Sequence, residues 1–170
     1  VPLDQQKAFL KFARGDLHFS SENFTGETLS QVPSLHRSYL PTPATSLLGR
    51  EKELATICEY LLKTDIRLVT LIGPPGIGKT RLSIESAHET VSNFNDGIFF
   101  VPLAPLDDPS LVSAAILQTL GYVETKNLSA LEQIVDGIGT KQMLLVLDNF
   151  EHLMDGAAPL VSRLLSACSK

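Results

Sequence analysis

The sequence predicts an α/β protein in which helices cover both faces of a parallel sheet, giving three layers. Strand-like apolar runs alternate with amphipathic helical patterns from Glu51 to the end of the chain. Strands separated by helices form right-handed βαβ units, which build a sheet of this kind. Of the 170 residues, 44% are hydrophobic and 19% are charged, so the chain can bury a core of ordinary size.

The residues before this alternation predict two further segments. Residues 1–15 carry Asp4 as a helix cap, apolar residues at helical spacing and Gly15 as a stop, so they predict a short helix that is the tail of an upstream domain. Residues 16–40 are rich in Ser, Thr, Asn, Gly and Pro, and they predict a linker that is too long for an ordinary loop. The main domain is therefore predicted at residues 41–170.

The first half of the main domain predicts two helices and two strands. Glu51–Lys63 places its Leu and Ile side chains on one helical face, and Lys79–Asn93 shows the same period. Arg67–Ile72 is an apolar run with β-branched residues that ends at a glycine, which is typical of a buried strand. Gly97–Leu103, with consecutive Ile, Phe, Phe and Val residues, predicts the next strand.

The second half predicts three helices and one strand. Residues 108–120 begin with an Asp-Pro pair and predict a helix, because Pro is favoured at the first helical position. Ser129, with Glu132 three residues later, predicts a capping box for another helix. Gln142–Asp148 is an almost uniformly apolar strand, and Ala157–Cys168 is a final amphipathic helix.

Charge and cysteine content argue against several kinds of function. The chain carries 14 Lys and Arg against 19 Asp and Glu, a net charge of −5, which disfavours direct binding to a nucleic-acid backbone. Cys58 and Cys168 lie in apolar helical patterns and predict buried, reduced thiols in a cytoplasmic protein. No apolar run reaches the ~18 residues that a membrane helix needs, so we predict no membrane partner.

The strongest functional motif is a glycine-rich loop that follows the predicted strand at residues 67–72. It matches the phosphate-loop pattern G-x-x-x-x-G-K-[ST] and consists of Gly73, Pro74, Pro75, Gly76, Ile77, Gly78, Lys79 and Thr80. Glycines allow main-chain N–H groups to wrap a phosphate, and the helix N-terminus that follows favours anions. Lys79 supplies a charge for the β and γ phosphates, and Thr80 supplies a hydroxyl ligand for Mg²⁺. Together with Arg81, the loop predicts a site for ATP or ADP with Mg²⁺.

A carboxylate at the end of the last predicted strand supplies the acidic partner that such a loop needs. Asp148 is expected to hold Mg²⁺ beside Thr80. Many ATPases carry a Glu directly after this Asp to activate water, whereas this chain has Asn149, which orients a water but accepts no proton. Glu151 is the next carboxylate and joins Lys79 and Asp148 as a candidate catalytic residue, although a solvated loop residue explains it equally well. Hydrolysis is therefore expected to be slow.

Three motifs along the main domain occur in the order found in one class of phosphate-loop proteins. Residues 47–53 read Leu-Leu-Gly-Arg-Glu-Lys-Glu, and further motifs lie at residues 99–104 and 145–152. They resemble the STAND-class NTPases, which include NB-ARC proteins and bacterial transcriptional regulators, and the first motif is similar to the hhGRExE signature of that class. The resemblance implies that Leu47, Leu48 and Arg50 contact adenine, with main-chain groups near the Arg reading the base. Without it, the Arg-Glu pair is more simply explained as the start of a helix.

The resemblance also implies how the module works. It implies a P-loop NTPase domain in a bacterial regulator, preceded by the tail of a helix-turn-helix domain, so that DNA is bound only through an upstream domain. Exchange of ADP for ATP would act as a switch on downstream regulatory domains and on other protomers, with slow turnover. The class continues into a further strand that carries a sensor residue. Residues 41–170 are therefore expected to form a C-terminally incomplete NTPase domain.

Three other interpretations remain open. An AAA+-type ATPase acting in a DNA transaction would ordinarily carry a Glu after Asp148. A small-molecule kinase would need an Arg-rich lid, which the sequence lacks between Asp107 and Lys141. A nucleotide-binding pseudo-enzyme would serve as an interaction module without turnover, and titration with ADP and ATP tests whether nucleotide is bound at all.

Overall fold

A computed structural model describes residues 39–125 and 127–168. The predicted helix at residues 1–15 and most of the predicted linker lie outside these residues. The described residues form α-helices α1 (Glu51–Leu62), α2 (Lys79–Glu89), α3 (Val112–Thr119), α4 (Ala130–Ile138) and α5 (Met154–Ala167), strands β1 (Ile98–Pro102) and β2 (Leu144–Asp148), and 3₁₀ turns at Val91–Asn93, Pro109–Leu111 and Glu151–Leu153.

The sheet pairs β1 with β2 in parallel, and its register runs from Ile98 opposite Leu144 to Pro102 opposite Asp148. Tyr39 adds a parallel bridge to β1, because its N–H donates to the carbonyl oxygen of Ile98 at 2.9 Å. This bridge was not predicted, since Tyr39 lies in the segment that the sequence suggests is a linker. Parallel pairing of the second and third predicted strands is confirmed.

The strand predicted at Arg67–Ile72 is absent, and this part of the prediction is wrong. Within the described residues, no ladder hydrogen bond is made by the main chain of this segment. Leu68 is 57% exposed and Ile72 is 91% exposed. An apolar run becomes a strand only where a neighbour supplies hydrogen-bond partners. Here β1 and β2 pair with each other, and Tyr39 takes the other edge of β1.

The helices follow the predicted pattern with shifted ends. The helix predicted at Lys79–Asn93 ends at Glu89, and a 3₁₀ turn follows at Val91–Asn93. The helix predicted at residues 108–120 begins with a 3₁₀ turn before α3. The capping box of α4 is confirmed by hydrogen bonds in both directions between Ser129 and Glu132.

The core lies between β1 and helices α3, α4 and α5. Its most deeply buried large side chains are Val101, Leu103, Ile116, Ile134 and Leu153, each with 1% exposure or less. β2 is only half-buried along its whole length, so the core is built mainly on the β1 side of the sheet. In the part of the chain that the structure describes, no helix has the length and apolar character needed to cross a membrane.

Both cysteines are free thiols. Cys168 is buried in the core cluster, and Cys58 is half-buried on α1. Burial is the main cause that raises the pKa of each thiol above its ordinary value. A thiol with a raised pKa is mostly protonated near neutrality and reacts poorly, which is typical of a packing residue.

Candidate functional site

The glycine-rich loop connects the extended segment at residues 67–72 to the start of α2. Gly76 and Gly78 adopt left-handed main-chain conformations, with φ of +76° and +90°. Side chains with a Cβ rarely adopt these angles, so both positions require glycine. Gly78 is also the N-cap of α2, and the loop therefore leads directly into the first turn of that helix.

The start of α2 presents main-chain donors. The first described bond of the helix runs from the N–H of Leu82 to the carbonyl oxygen of Gly78 at 3.0 Å. The N–H groups of the preceding residues have no partner within the helix. Together with the helix dipole, such donors attract anions, so the end of the loop is suited to a phosphate group.

Lys79 folds its ammonium group back over the loop. Its Nζ donates to the carbonyl oxygen of Gly73 at 2.9 Å and to that of Pro74 at 3.4 Å. The charge is thereby held at the mouth of the loop rather than in open solvent. A phosphate bound in the loop could take these hydrogen bonds from the two carbonyl oxygens.

Thr80 and Asp148 meet across 68 residues of sequence. The Thr80 hydroxyl donates to Oδ1 of Asp148 at 2.6 Å, and the contact is partly buried. Asp148 is the last residue of β2, and Thr80 lies in the first turn of α2. The structure therefore brings together the two residues that the sequence suggested as Mg²⁺ ligands.

The oxygen pair of Thr80 and Asp148 fits Mg²⁺ chemically. Hydroxyl and carboxylate oxygens are hard ligands, and Mg²⁺ is commonly held by one or two protein oxygens together with phosphate and water. Across residues 39–125 and 127–168, no group of three or more His, Cys, Asp or Glu residues could form a metal site from protein ligands alone. A metal ion at this pair would therefore take its remaining ligands from phosphate or water.

The residues after Asp148 adopt a tight turn. Asn149 has a φ of +59°, the left-handed region that few residues other than glycine tolerate, and Asn is one of them. Glu151 is exposed and begins a 3₁₀ turn, and the structure gives its side chain no described hydrogen bond. His152 Nε2 lies 2.8 Å from the carbonyl oxygen of Leu106, which ties this turn to the segment after β1. The catalytic role of Glu151 remains a prediction.

The segment before α1 reaches the loop through one side chain. Arg50 Nη1 donates to the carbonyl oxygen of Ile77 at 2.6 Å, and Arg50 Nε lies 3.2 Å from Glu53 Oε1. The pKa of Glu53 is lowered, first by a hydrogen bond from its own main chain and next by the one from Arg50. Leu47 is half-buried, whereas Leu48 is 81% exposed. The adenine contacts of Leu47, Leu48 and Arg50 remain a prediction.

Arg81 lies in the first turn of α2, next to Thr80. Its Nη2 is 3.9 Å from Glu85 Oε2, which is too long for a hydrogen bond. The Nη2 atom is buried and makes no hydrogen bond with the part of the chain that the structure describes. The contact of Arg81 with nucleotide remains a prediction.

The loop geometry, the helix N-terminus and the contact between Thr80 and Asp148 together define a P-loop NTPase. The AAA domain family matches residues 63–169, which is more than half of the chain. The chain belongs to this family.

Several curated proteins are similar to the chain. A provisionally named HTH-type transcriptional regulator of Mycobacterium tuberculosis is 44% identical over 102 residues, covering 60% of this chain and 11% of the relative. An uncharacterized protein of the same species is 38% identical over 126 residues, covering 74% of this chain and 32% of the relative. An uncharacterized WD repeat-containing protein of Nostoc is 27% identical over 135 residues, covering 70% of this chain and 10% of the relative. The chain thus spans between a tenth and a third of the length of these relatives. No solved structure matches the chain.

Proposed function

We propose that the chain binds ATP and ADP with Mg²⁺ and acts as the nucleotide-operated switch of a STAND-type signal-transducing regulator. The observation that carries this proposal is the 2.6 Å contact between Thr80 and Asp148. It joins the phosphate loop to the carboxylate at the end of β2, which is the pairing that a Mg²⁺–nucleotide complex requires. The AAA domain family match supports nucleotide binding.

The loop residues would divide the phosphate chain among them. Main-chain N–H groups of Gly76 and Gly78 would face the phosphate oxygens, and Lys79 would exchange its bonds to loop carbonyls for bonds to phosphate. Arg81 lies two residues after Lys79, and its Nη2 makes no hydrogen bond with the described residues. The Lys79 ammonium is a charged donor in both states, but a phosphate oxygen adds the opposite charge that a carbonyl oxygen lacks, so this exchange favours the bound nucleotide.

Thr80 and Asp148 would hold Mg²⁺, which supplies charge neutralisation at the β and γ phosphates. No strong general base lies directly after Asp148 to activate water. Asn149 follows Asp148 in a left-handed turn, and an amide cannot take a proton from water. Glu151 is an exposed carboxylate two residues further on. Hydrolysis in the complete protein is therefore slow, and the nucleotide state persists long enough to act as a signal.

The regulatory setting rests on the relatives. One of them carries the name of an HTH-type transcriptional regulator and is about nine times longer than the region that it shares with this chain. In our proposal DNA is bound by an upstream domain, and the nucleotide acts on downstream regulatory domains and on other protomers in the cytoplasm. Leu47, Leu48 and the main chain of Arg50 would lie on the adenine side of the bound nucleotide.

A second candidate is an AAA+-type ATPase that acts in a DNA transaction. The family match favours it, because that family is described simply as an AAA domain. Such an ATPase would assemble on DNA and turn over rapidly. Steady-state hydrolysis with and without duplex DNA separates the two candidates, since the switch requires slow turnover that DNA does not accelerate.

The proposal is tested by calorimetric titration of the full 170-residue chain with ADP and ATP, with and without Mg²⁺. Lys79→Ala is expected to lower the affinity for both nucleotides at least about 100-fold, because roughly two charge-assisted hydrogen bonds to phosphate, each worth about 1.5–3 kcal/mol, are lost. Lys52→Ala removes an exposed cation elsewhere and should leave the affinity unchanged. Equal affinity in the wild type and Lys79→Ala would show that the loop is not the site.

Asp148→Ala extends the same titration to the metal. The Mg²⁺-dependent affinity is expected to fall about tenfold, whereas binding without Mg²⁺ should change little. Asp155→Ala, which removes an exposed carboxylate on α5, is the matched control. Equal losses with and without Mg²⁺ would remove Asp148 from the metal site.

A further inference from the structure

Arg50 is the residue that joins the start of α1 to the phosphate loop. Its bond to the Ile77 carbonyl is 2.6 Å long and spans 27 residues; the bond is exposed, and the Arg50 side chain is 29% exposed. The main chain from which it extends is well fixed. Gly49 is left-handed with a φ of +75°, and the N–H of Leu54 donates to the carbonyl oxygen of Arg50 at 3.0 Å. Glu53 holds Nε of the same guanidinium.

The carbonyl that Arg50 holds belongs to the same peptide unit as the N–H of Gly78. No cis peptide bond occurs among the described residues, and in a trans peptide the C=O and N–H groups point in opposite directions. Arg50 therefore turns the N–H of Gly78 away from α1. A positively charged donor on the carbonyl also polarises the peptide, which makes the N–H a stronger donor.

We propose that Arg50 is a positioning residue that holds the Ile77–Gly78 peptide with its N–H directed at the nucleotide phosphates; this rests on the proposed function. Glu53 keeps the guanidinium in place. Arg50 thus acts on the phosphate end of the nucleotide, because its Nη1 and Nε already hold the Ile77 carbonyl and Glu53. This differs from the adenine contact that the resemblance implies.

The base of the nucleotide distinguishes these two roles. Arg50→Ala in the full chain is expected to lower the affinities for ATP and for GTP about tenfold each, leaving the ratio of the two affinities unchanged. An Arg50 side chain that contacts adenine would change that ratio. Lys52→Ala removes a cation from the same turn of α1, and its side chain makes no described hydrogen bond, so it should alter neither affinity. A changed ratio, or losses no larger than in Lys52→Ala, would overturn the proposal.

A second measurement needs no nucleotide. In a glycine-labelled sample, the ¹⁵N resonance of the Gly78 amide is expected to move in Arg50→Ala and to stay in place in Lys52→Ala. Arg50→Lys keeps a cation near the carbonyl, so its Gly78 resonance should lie between the positions in the wild type and in Arg50→Ala. This variant also provides the test if Arg50→Ala does not fold. A Gly78 resonance that is unmoved in both Arg50 variants refutes the positioning role even if the wild type binds ADP. Failure of the wild type to bind ADP refutes instead the proposed function.

Discussion

Asn149 offers a direct test of how the turn after β2 is built. Its φ of +59° would cost a residue with an ordinary Cβ about 1–2 kcal/mol, and Asn carries part of that cost already. Asn149→Ala is therefore expected to destabilise the protein by about 1 kcal/mol. Asn149→Gly removes the steric cost, but glycine also raises the conformational entropy of the unfolded chain, which costs about 0.5–1 kcal/mol of stability. The two effects are of similar size, so this variant should be nearly as stable as the wild type.

Urea unfolding followed by circular dichroism measures these differences directly. In thermal unfolding, about 1 kcal/mol corresponds to roughly 2–4 °C in a chain of this size. Asn95→Ala is the control, because Asn95 is exposed and is not among the described residues with positive φ. Equal stability of Asn149→Ala and Asn149→Gly, or greater stability of the Ala variant, would refute the idea that the turn requires a left-handed residue.

Three further predictions concern α4. Ser129→Ala should cost about 1 kcal/mol of stability through loss of the N-cap. Hydrogen bonds from the Ser129 hydroxyl, and next from its N–H, lower the pKa of Glu132. The stability that they provide is present above the ordinary carboxyl pKa and is lost as the pH falls through the lowered pKa. Glu132→Gln should therefore make the free energy of unfolding depend less on pH in this range, and an unchanged pH profile would contradict this. Gly137→Ala would place a Cβ 2.6 Å from the Tyr122 ring, so we expect overpacking of about 1–3 kcal/mol to outweigh a gain in helix propensity of about 1 kcal/mol. The same change in a Tyr122→Leu background should be stabilising, and a stabilising Gly137→Ala in the wild type would show that the ring moves freely.

Local patterns predicted the elements that local interactions build. The capping box of α4 needs only Ser129 and Glu132, and the start of α2 needs only the glycine loop before it. The pairing of β1 with β2 followed from element order, because strands joined by helices lie in parallel. The meeting of Thr80 with Asp148 followed from the motifs, since Thr80 lies directly after the phosphate loop and Asp148 ends an apolar strand.

The features that depend on distant partners could not be predicted. Arg67–Ile72 has the composition of a strand, but composition does not say whether a neighbour supplies hydrogen bonds. Tyr39 bridges β1 from a segment without any periodic pattern. The bond from Arg50 to the Ile77 carbonyl joins a side chain to a main-chain group 27 residues away. Asn149 was open to prediction, because an Asn directly after a strand is a candidate for a left-handed turn.

The central claim is that residues 73–80 and Asp148 together bind a nucleotide and its metal ion. A crystal structure of the chain with a non-hydrolysable ATP analogue and Mg²⁺ tests it most directly. We expect the β-phosphate within hydrogen-bond distance of Lys79 and the Gly78 N–H, with Mg²⁺ near Thr80 and Asp148. Electron density for the analogue at any other place, with the loop free of phosphate, would contradict the claim.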